Sequence, residues 1–269
     1  MIDPSLWFMF LVGTGIATIA IMAGIGGAVL FAPFFMLVLR LDPLIALGAG
    51  LVIEFFGFSS GVVGYWRKRE IDFGIVRKII IFTVPATAVG ILLGRIVPAF
   101  GLQILLTLLL SYLAYQFLFT GKECVPKDPR CTGVSGISSE SLVDGTIKFT
   151  SSIGGLLVGM ISAGLGEINE LNFLKRMRLP VPTASATSVF LVAMSASVGS
   201  VFHAYFLLTK GDLSIINEVL SILVFTVPGV IVGAQIGVFL ANNLNAAIMG
   251  KFVGVLFSIL AVLTLLLVF

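Results

Sequence analysis

Apolar residues run through this chain in long, nearly uninterrupted blocks, not in the alternation of a half-buried strand or the one-sided stripe of a surface helix. Eight blocks, 6–22, 44–66, 75–97, 102–119, 149–163, 184–208, 213–240 and 246–269, mostly reach or approach the roughly 20 residues that a helix needs to cross about 30 Å of hydrocarbon. Two further blocks, 28–39 and 166–177, are too short to cross comfortably, and each follows a glycine-rich interruption. The first interruption is Met22-Ala23-Gly24-Ile25-Gly26-Gly27; the second is Ile161-Ser162-Ala163-Gly164-Leu165-Gly166-Glu167-Ile168-Asn169-Glu170. The pattern predicts an all-α polytopic membrane protein of about eight spanning helices plus two half-helices.

The two interruptions lie 140 positions apart, and other matches share that spacing. Tyr65 pairs with Tyr205 and Asp72 with Asp212, while Phe82-Thr83-Val84-Pro85 returns 143 positions later as Phe225-Thr226-Val227-Pro228. Pro43 and Pro182 each open the block after a half-helix. A duplication follows: a first repeat at 1–120, a hydrophilic connector at 121–147 and a second repeat at 148–269. Lysine and arginine set its orientation. Arg67, Lys68, Arg69, Arg77 and Lys78 crowd one loop and Lys175, Arg176 and Arg178 another. With both loops cytoplasmic, 44–66 and 184–208 run in opposite senses. The repeats are therefore expected to be inverted, each with a glycine-broken re-entrant helix, with both termini extracytoplasmic and the two tips meeting near the midplane.

Composition narrows the class. At 58% hydrophobic and 11% charged residues, with a mean hydropathy of +1.16, the chain has too little polar surface to cover itself in water. A net charge of +3 then bears on membrane orientation and not on nucleic acid. Cys124 and Cys131, with no histidine nearby, match no zinc spacing. No nucleophile–base pair, metal cluster or nucleotide-binding loop is visible, so neither an enzyme nor a cofactor is expected. The expected partners are the lipid bilayer and a small anionic substrate, with the protein a monomer or a homodimer in the plasma membrane.

Paired glycine-broken helices point to a transport site, because a broken helix exposes backbone N–H groups and a positive helix end where an anion can bind. Gly24, Gly26 and Gly27, with Gly164 and Gly166, are the candidate substrate contacts; close helix packing is the alternative use of such glycines. Thr187 and Ser188 either add hydroxyl donors or bond back to their own helix. Glu54 falls near the bilayer centre, where an ionisable group is functional by default or else a protonated acid bonded to backbone. Glu167 and Glu170 are either coupling groups or caps of the broken helix. At Glu167 the helix end favours the carboxylate and burial favours the neutral acid. We expect the neutral form, able to couple transport to pH, since a fixed negative charge about 4–5 Å from an anion is costly. His203 reads as structural, Gln235 as lining the pathway or bridging helices, and Tyr65, Trp66 and Tyr205 as interfacial anchors.

The tip Gly24–Gly27 followed by Pro33, then Pro43 and Ala46, and Pro182 with Ala186-Thr187-Ser188, resemble the repeated pattern of the sulfite exporter TauE/SafE family, also called the toluene sulfonate uptake permease family. The resemblance spans nearly the whole chain. It implies a secondary transporter of sulfur-containing anions such as sulfite, sulfonates or sulfoacetate. Two departures stand out: Glu167 occupies a position where such tips commonly carry glycine, and Gly48-Ala49 stands where the second half has Thr187-Ser188. The rival readings are a cation or proton channel lined by Glu54 and Glu167, and a non-transporting subunit of a membrane complex.

Overall fold

The computed structural model describes residues 4–119, 143–210, 213–241 and 246–268. Cys124, Cys131, Asp212 and most of the connector lie outside the described residues.

A 3₁₀ turn, Pro4–Phe8, leads into α1 (Met9–Ala23). Then come α2 (Ala28–Val38), α3 (Pro43–Arg67), α4 (Phe73–Gly94) and α5 (Ala99–Phe119). Beyond the connector lie α6 (Gly145–Ile161), α7 (Leu165–Leu171, extended by a π-helical turn Asn172–Arg176), α8 (Val181–Lys210), α9 (Leu213–Ala241) and α10 (Ala246–Val268). There is no strand among the described residues. Six segments are long and apolar enough to cross a membrane: Pro4–Ala23, Pro43–Arg67, Phe73–Gly94, Ala99–Phe119, Val181–Thr209 and Ile215–Ala241.

Aspartates start three helices by accepting N–H groups that no carbonyl can reach. Asp42 takes the Leu44 N–H just before Pro43, and Asp72 takes those of Gly74 and Ile75. Asp144 takes the Ile147 N–H at 2.8 Å. That cap draws 145–147, expected to be connector, into α6.

Contact register gives the direction of each helix. Thr14 and Thr18 on α1 donate to the Gly229 and Gly233 carbonyls, so α1 and α9 run parallel. Thr83 and Thr87 on α4 press their carbonyls on Gly155 and Gly159, so α4 and α6 do the same. Ser60 and Lys68 reach the Ile231 and Val238 carbonyls, aligning α3 with α9. Phe73 on Phe190 and Arg95 on Phe206 align α4 with α8. The central pair is antiparallel: on α3 and α8, Gly48 meets His203 and Leu51 meets Gly199. Likewise antiparallel, α5 and α10 meet at Thr107–Thr264 and Phe117–Phe257.

Each short helix runs against its neighbours. On α2, Gly27 lies by Phe58 while Ala28 lies by Glu54 and Gly50 of α3. On α7, Gly166 meets Ser188 and Glu170 meets Ser185 of α8, and Asn169 meets Ser151 of α6. In both halves, then, a helix enters, breaks, and turns back. The helix pairings α1–α9, α3–α9 and α2–α3 have the counterparts α6–α4, α8–α4 and α7–α8.

The outer face carries Leu11, Ile81, Ile96, Leu108, Phe149, Leu208 and Phe239, all exposed, where lipid replaces water. The buried carboxylates, Glu54, Glu167 and Glu170, have gone inward instead, to the two breaks.

Candidate functional site

The first break forms because Gly24 takes the left-handed conformation at φ 66°, ending α1, and α2 starts at Ala28. The second forms at Ser162 (φ 56°) and Gly164 (φ 114°). A side chain at φ near +114° would be strained, which is why glycine stands at 164.

The breaks touch each other through backbone. A Cβ on Gly166 would lie 2.8 Å from the Gly26 nitrogen and 3.3 Å from the Gly24 carbonyl oxygen, so any larger residue would push the two apart. Ser188 clamps the junction from α8, its hydroxyl within 3.2 Å of the Gly24 carbonyl oxygen and 3.0 Å of that of Gly166. Ser162 donates to the Leu47 carbonyl of α3 at 2.9 Å, and the Tyr65 hydroxyl holds the Ile21 carbonyl at 2.9 Å. Tyr65 is thus fully buried at the first break, not interfacial; its phenol takes a carbonyl of the final turn of α1. Trp66 and Tyr205 are exposed, at 63% and 61%.

Three carboxylates surround this junction, all almost wholly buried. Glu167 bridges the breaks: one oxygen accepts the Gly26 N–H at 3.0 Å and the other accepts the Gly164 N–H at 2.9 Å. Glu54 reaches from α3 to accept the Ala28 N–H at 3.1 Å, at the start of α2. One oxygen of Glu54 and one of Glu167 each lie 3.1 Å from the point where a Cβ on Gly26 would sit. The second oxygen of Glu54 is buried with no hydrogen-bond partner. Glu170 accepts from the Ser185 hydroxyl at 2.9 Å and fills the space beside Gly24. No lysine, arginine or histidine is among the buried polar residues described.

The structure therefore brings Gly24, Gly26, Gly164, Gly166, Ser188, Glu54, Glu167 and Glu170 into one cluster. Gly27 caps α2 and packs against Phe58 and Phe31. Thr187 is elsewhere: its hydroxyl oxygen accepts the Asp72 N–H at the start of α4. Gln235 bridges helices, donating to the Ser60 carbonyl and hydroxyl, and His203 packs on Gly48. Ser162, Ser185 and Asn169 were not singled out in the sequence. Ser185 adjoins the Ala186-Thr187-Ser188 motif, but serine in a membrane helix so often bonds its own backbone that residue type alone carries little signal.

Chemically, the cluster is an oxyanion cradle with a carboxyl group already in it. Backbone N–H groups from two broken helices converge on a single carboxylate, and the acid that supplies it stands where a third break glycine was expected.

The family model described as sulfite exporter TauE/SafE matches residues 9–264. A probable membrane transporter protein of Bacillus subtilis (strain 168), YjnA, is 22% identical over 238 residues, covering 85% of this chain and 89% of its own length. A second from the same organism, probable membrane transporter protein YunE, is 20% identical over 212 residues, covering 73% of this chain and 78% of its own length. No solved structure matches the chain significantly.

Proposed function

Because the chain belongs to the sulfite exporter TauE/SafE family and is a multi-pass membrane transporter, we propose that it moves small sulfur-containing oxyanions, such as sulfite, sulfonates or sulfoacetate-like anions, through the junction of its two helix breaks. The supporting observation is the pair of N–H groups, Gly26 and Gly164, converging on the Glu167 carboxylate. Donors that hold a carboxylate in this geometry suit the oxygens of a sulfonate or sulfite equally well. Glu167 is then a resident stand-in: it satisfies the donors while the site is empty and leaves them when substrate arrives. An anion does not enter beside three ionised carboxylates without a large repulsion. One of them carries a proton, and Glu54 has the oxygen for it, since its second oxygen has no partner and can be the protonated one. Substrate entry is thus accompanied by a proton at Glu54.

The symmetric helix pairing and the reversed directions of the two halves support inverted repeats that rock about the α3–α8 crossing, exposing the junction to each side in turn. The second reading, a proton or cation channel lined by Glu54 and Glu167, draws on the absence of a basic partner among the buried residues described. Purified protein in liposomes separates the two. Uptake of labelled sulfite or sulfoacetate that is lost in Gly166→Leu supports transport; ionic current with no such anion present supports the channel.

A further inference from the structure

Away from the breaks, a cavity of about 370 Å³ opens between the first turns of α3, the end of α8 and the first half of α9, a volume in the range of small-molecule sites. Its walls are aliphatic, including Leu44, Ile45, Val52, Ile216 and Leu223. One of the lining residues is cationic, Arg95, and none is acidic. Arg95 follows the end of α4, with its guanidinium 3.2 Å above the Phe206 ring. Its Nε is buried with no hydrogen-bond partner among the described residues. His203 is pressed against Gly48, 2.6 Å from the position a Cβ would take there. Beneath them Leu51 is seated on Gly199, and Ser200 lies 3.3 Å from the Leu51 carbonyl oxygen. Neither the break glycines nor Glu54, Glu167 and Glu170 line the cavity.

A guanidinium whose Nε has no partner among the described residues, held against a ring at the edge of an apolar chamber, is a mismatch unless something completes it. Its planar fork matches two oxygens of a carboxylate, sulfonate or phosphate. The aliphatic walls favour a hydrocarbon body and disfavour a small hydrated ion. We propose that this cavity binds an oxyanion carried on an apolar chain, with the headgroup on Arg95 and the chain lying between α3, α8 and α9. Such a ligand comes either from solution, as an amphiphilic carboxylate or sulfonate, or from the bilayer, as an anionic lipid. The site is independent of the proposed transport site.

The test uses the full-length protein in phosphatidylcholine nanodiscs, with empty discs as the reference for partitioning. Octanesulfonate is expected to bind saturably, with methanesulfonate at least tenfold weaker and octyltrimethylammonium no different from empty discs. Arg95→Gln removes the headgroup contact, and Ala204→Trp fills the mouth of the cavity from an exposed position; each should weaken octanesulfonate at least tenfold. Native mass spectrometry of protein taken from phosphatidylglycerol-containing bilayers identifies the source. Phosphatidylglycerol retained by the wild type and lost in Arg95→Gln assigns the bilayer; octanesulfonate binding without lipid retention assigns solution. The proposal is overturned if octanesulfonate matches empty discs and no phosphatidylglycerol is retained, or if Arg95→Gln alters neither. Because none of these readouts is a flux, failure of the transport reading leaves them unaffected.

Discussion

Glu167 is the residue on which the junction closes, because a single carboxylate satisfies one N–H from each break. Removing it as Glu167→Ala leaves two buried donors unpaired, at about 1–3 kcal/mol each, so the variant should melt well below the wild type in a thermal-shift series. Glu167→Gln should fall between them, since an amide offers one acceptor where the site needs two. Glu54 behaves differently. In Glu54→Gln the amide oxygen still accepts the Ala28 N–H and the NH₂ stands where the protonated oxygen was. Stability should be nearly unchanged while the pH dependence of flux flattens. A wild-type pH profile in Glu54→Gln, with protein present at normal level, would remove Glu54 from the coupling step and return the role to Glu167 or Glu170. The direction follows from the chemistry: if substrate enters with a proton, uptake rises as the external pH is lowered, and that rise is what Glu54→Gln loses.

At the scale of elements, the breaks act as one unit. Gly166→Leu must place a side chain where the Gly26 nitrogen is 2.8 Å from the Cβ position, and Gly26→Leu would strike the Glu167 and Glu54 oxygens at 3.1 Å. Both variants should insert and fold their long helices yet lose flux, read as uptake normalised to membrane level; full activity in both would place the pathway elsewhere. The breaks themselves were legible in the sequence. Gly24 and Gly164 interrupt apolar blocks followed by segments too short to span, and lipid tolerates such backbone only where protein buries it. The caps before Pro43, Phe73 and Gly145 went unread, which is why the connector was drawn through 145–147, the first turn of α6. What could not be read was the partner of each acid. Glu167 sits three residues after Gly164, so its cap there is local, but its bond to Gly26 joins positions 141 apart, and spacing within one segment carries no trace of it. Tyr65 misled for a similar reason. An aromatic next to a basic loop has the sequence signature of an interfacial anchor, and only the packing of α1 against α3 shows its hydroxyl on Ile21. Thr187 shared a motif with Ser188, yet neighbours on a helix point about 100° apart, and Thr187 faces α4.

Across the whole molecule, directions read from contacts place the end of α3 and the start of α8 on one side and the connection between α2 and α3 on the other. Cysteines introduced at Lys68 and Arg176 should therefore label from the same face of the membrane with an impermeant reagent, and a cysteine at Arg40 from the opposite face. Labelling of 68 and 176 from different faces would contradict the inverted arrangement. The matching blocks Phe82–Pro85 and Phe225–Pro228 announced the duplication, but the reversal depended on placing two basic clusters on one side, which is a rule of membrane insertion and not of packing. The structure supplies the packing side: α4 of the first half lies along α6 and α8, α9 of the second lies along α1 and α3, and antiparallel α3 and α8 cross between the two groups, so each half lends one helix to the other. This leaves the buried acids and the two breaks where the two halves meet.

The central claim is that the junction passes a small oxyanion together with a proton. Its most direct test is uptake into liposomes holding the purified protein, with labelled sulfite, sulfoacetate, taurine, sulfate and acetate offered in turn at two external pH values. The account predicts saturable uptake of sulfite or sulfoacetate that rises at the lower pH, is lost in Gly166→Leu and loses its pH dependence in Glu54→Gln. Current without any of these anions, or uptake that survives Gly166→Leu unchanged, would contradict it.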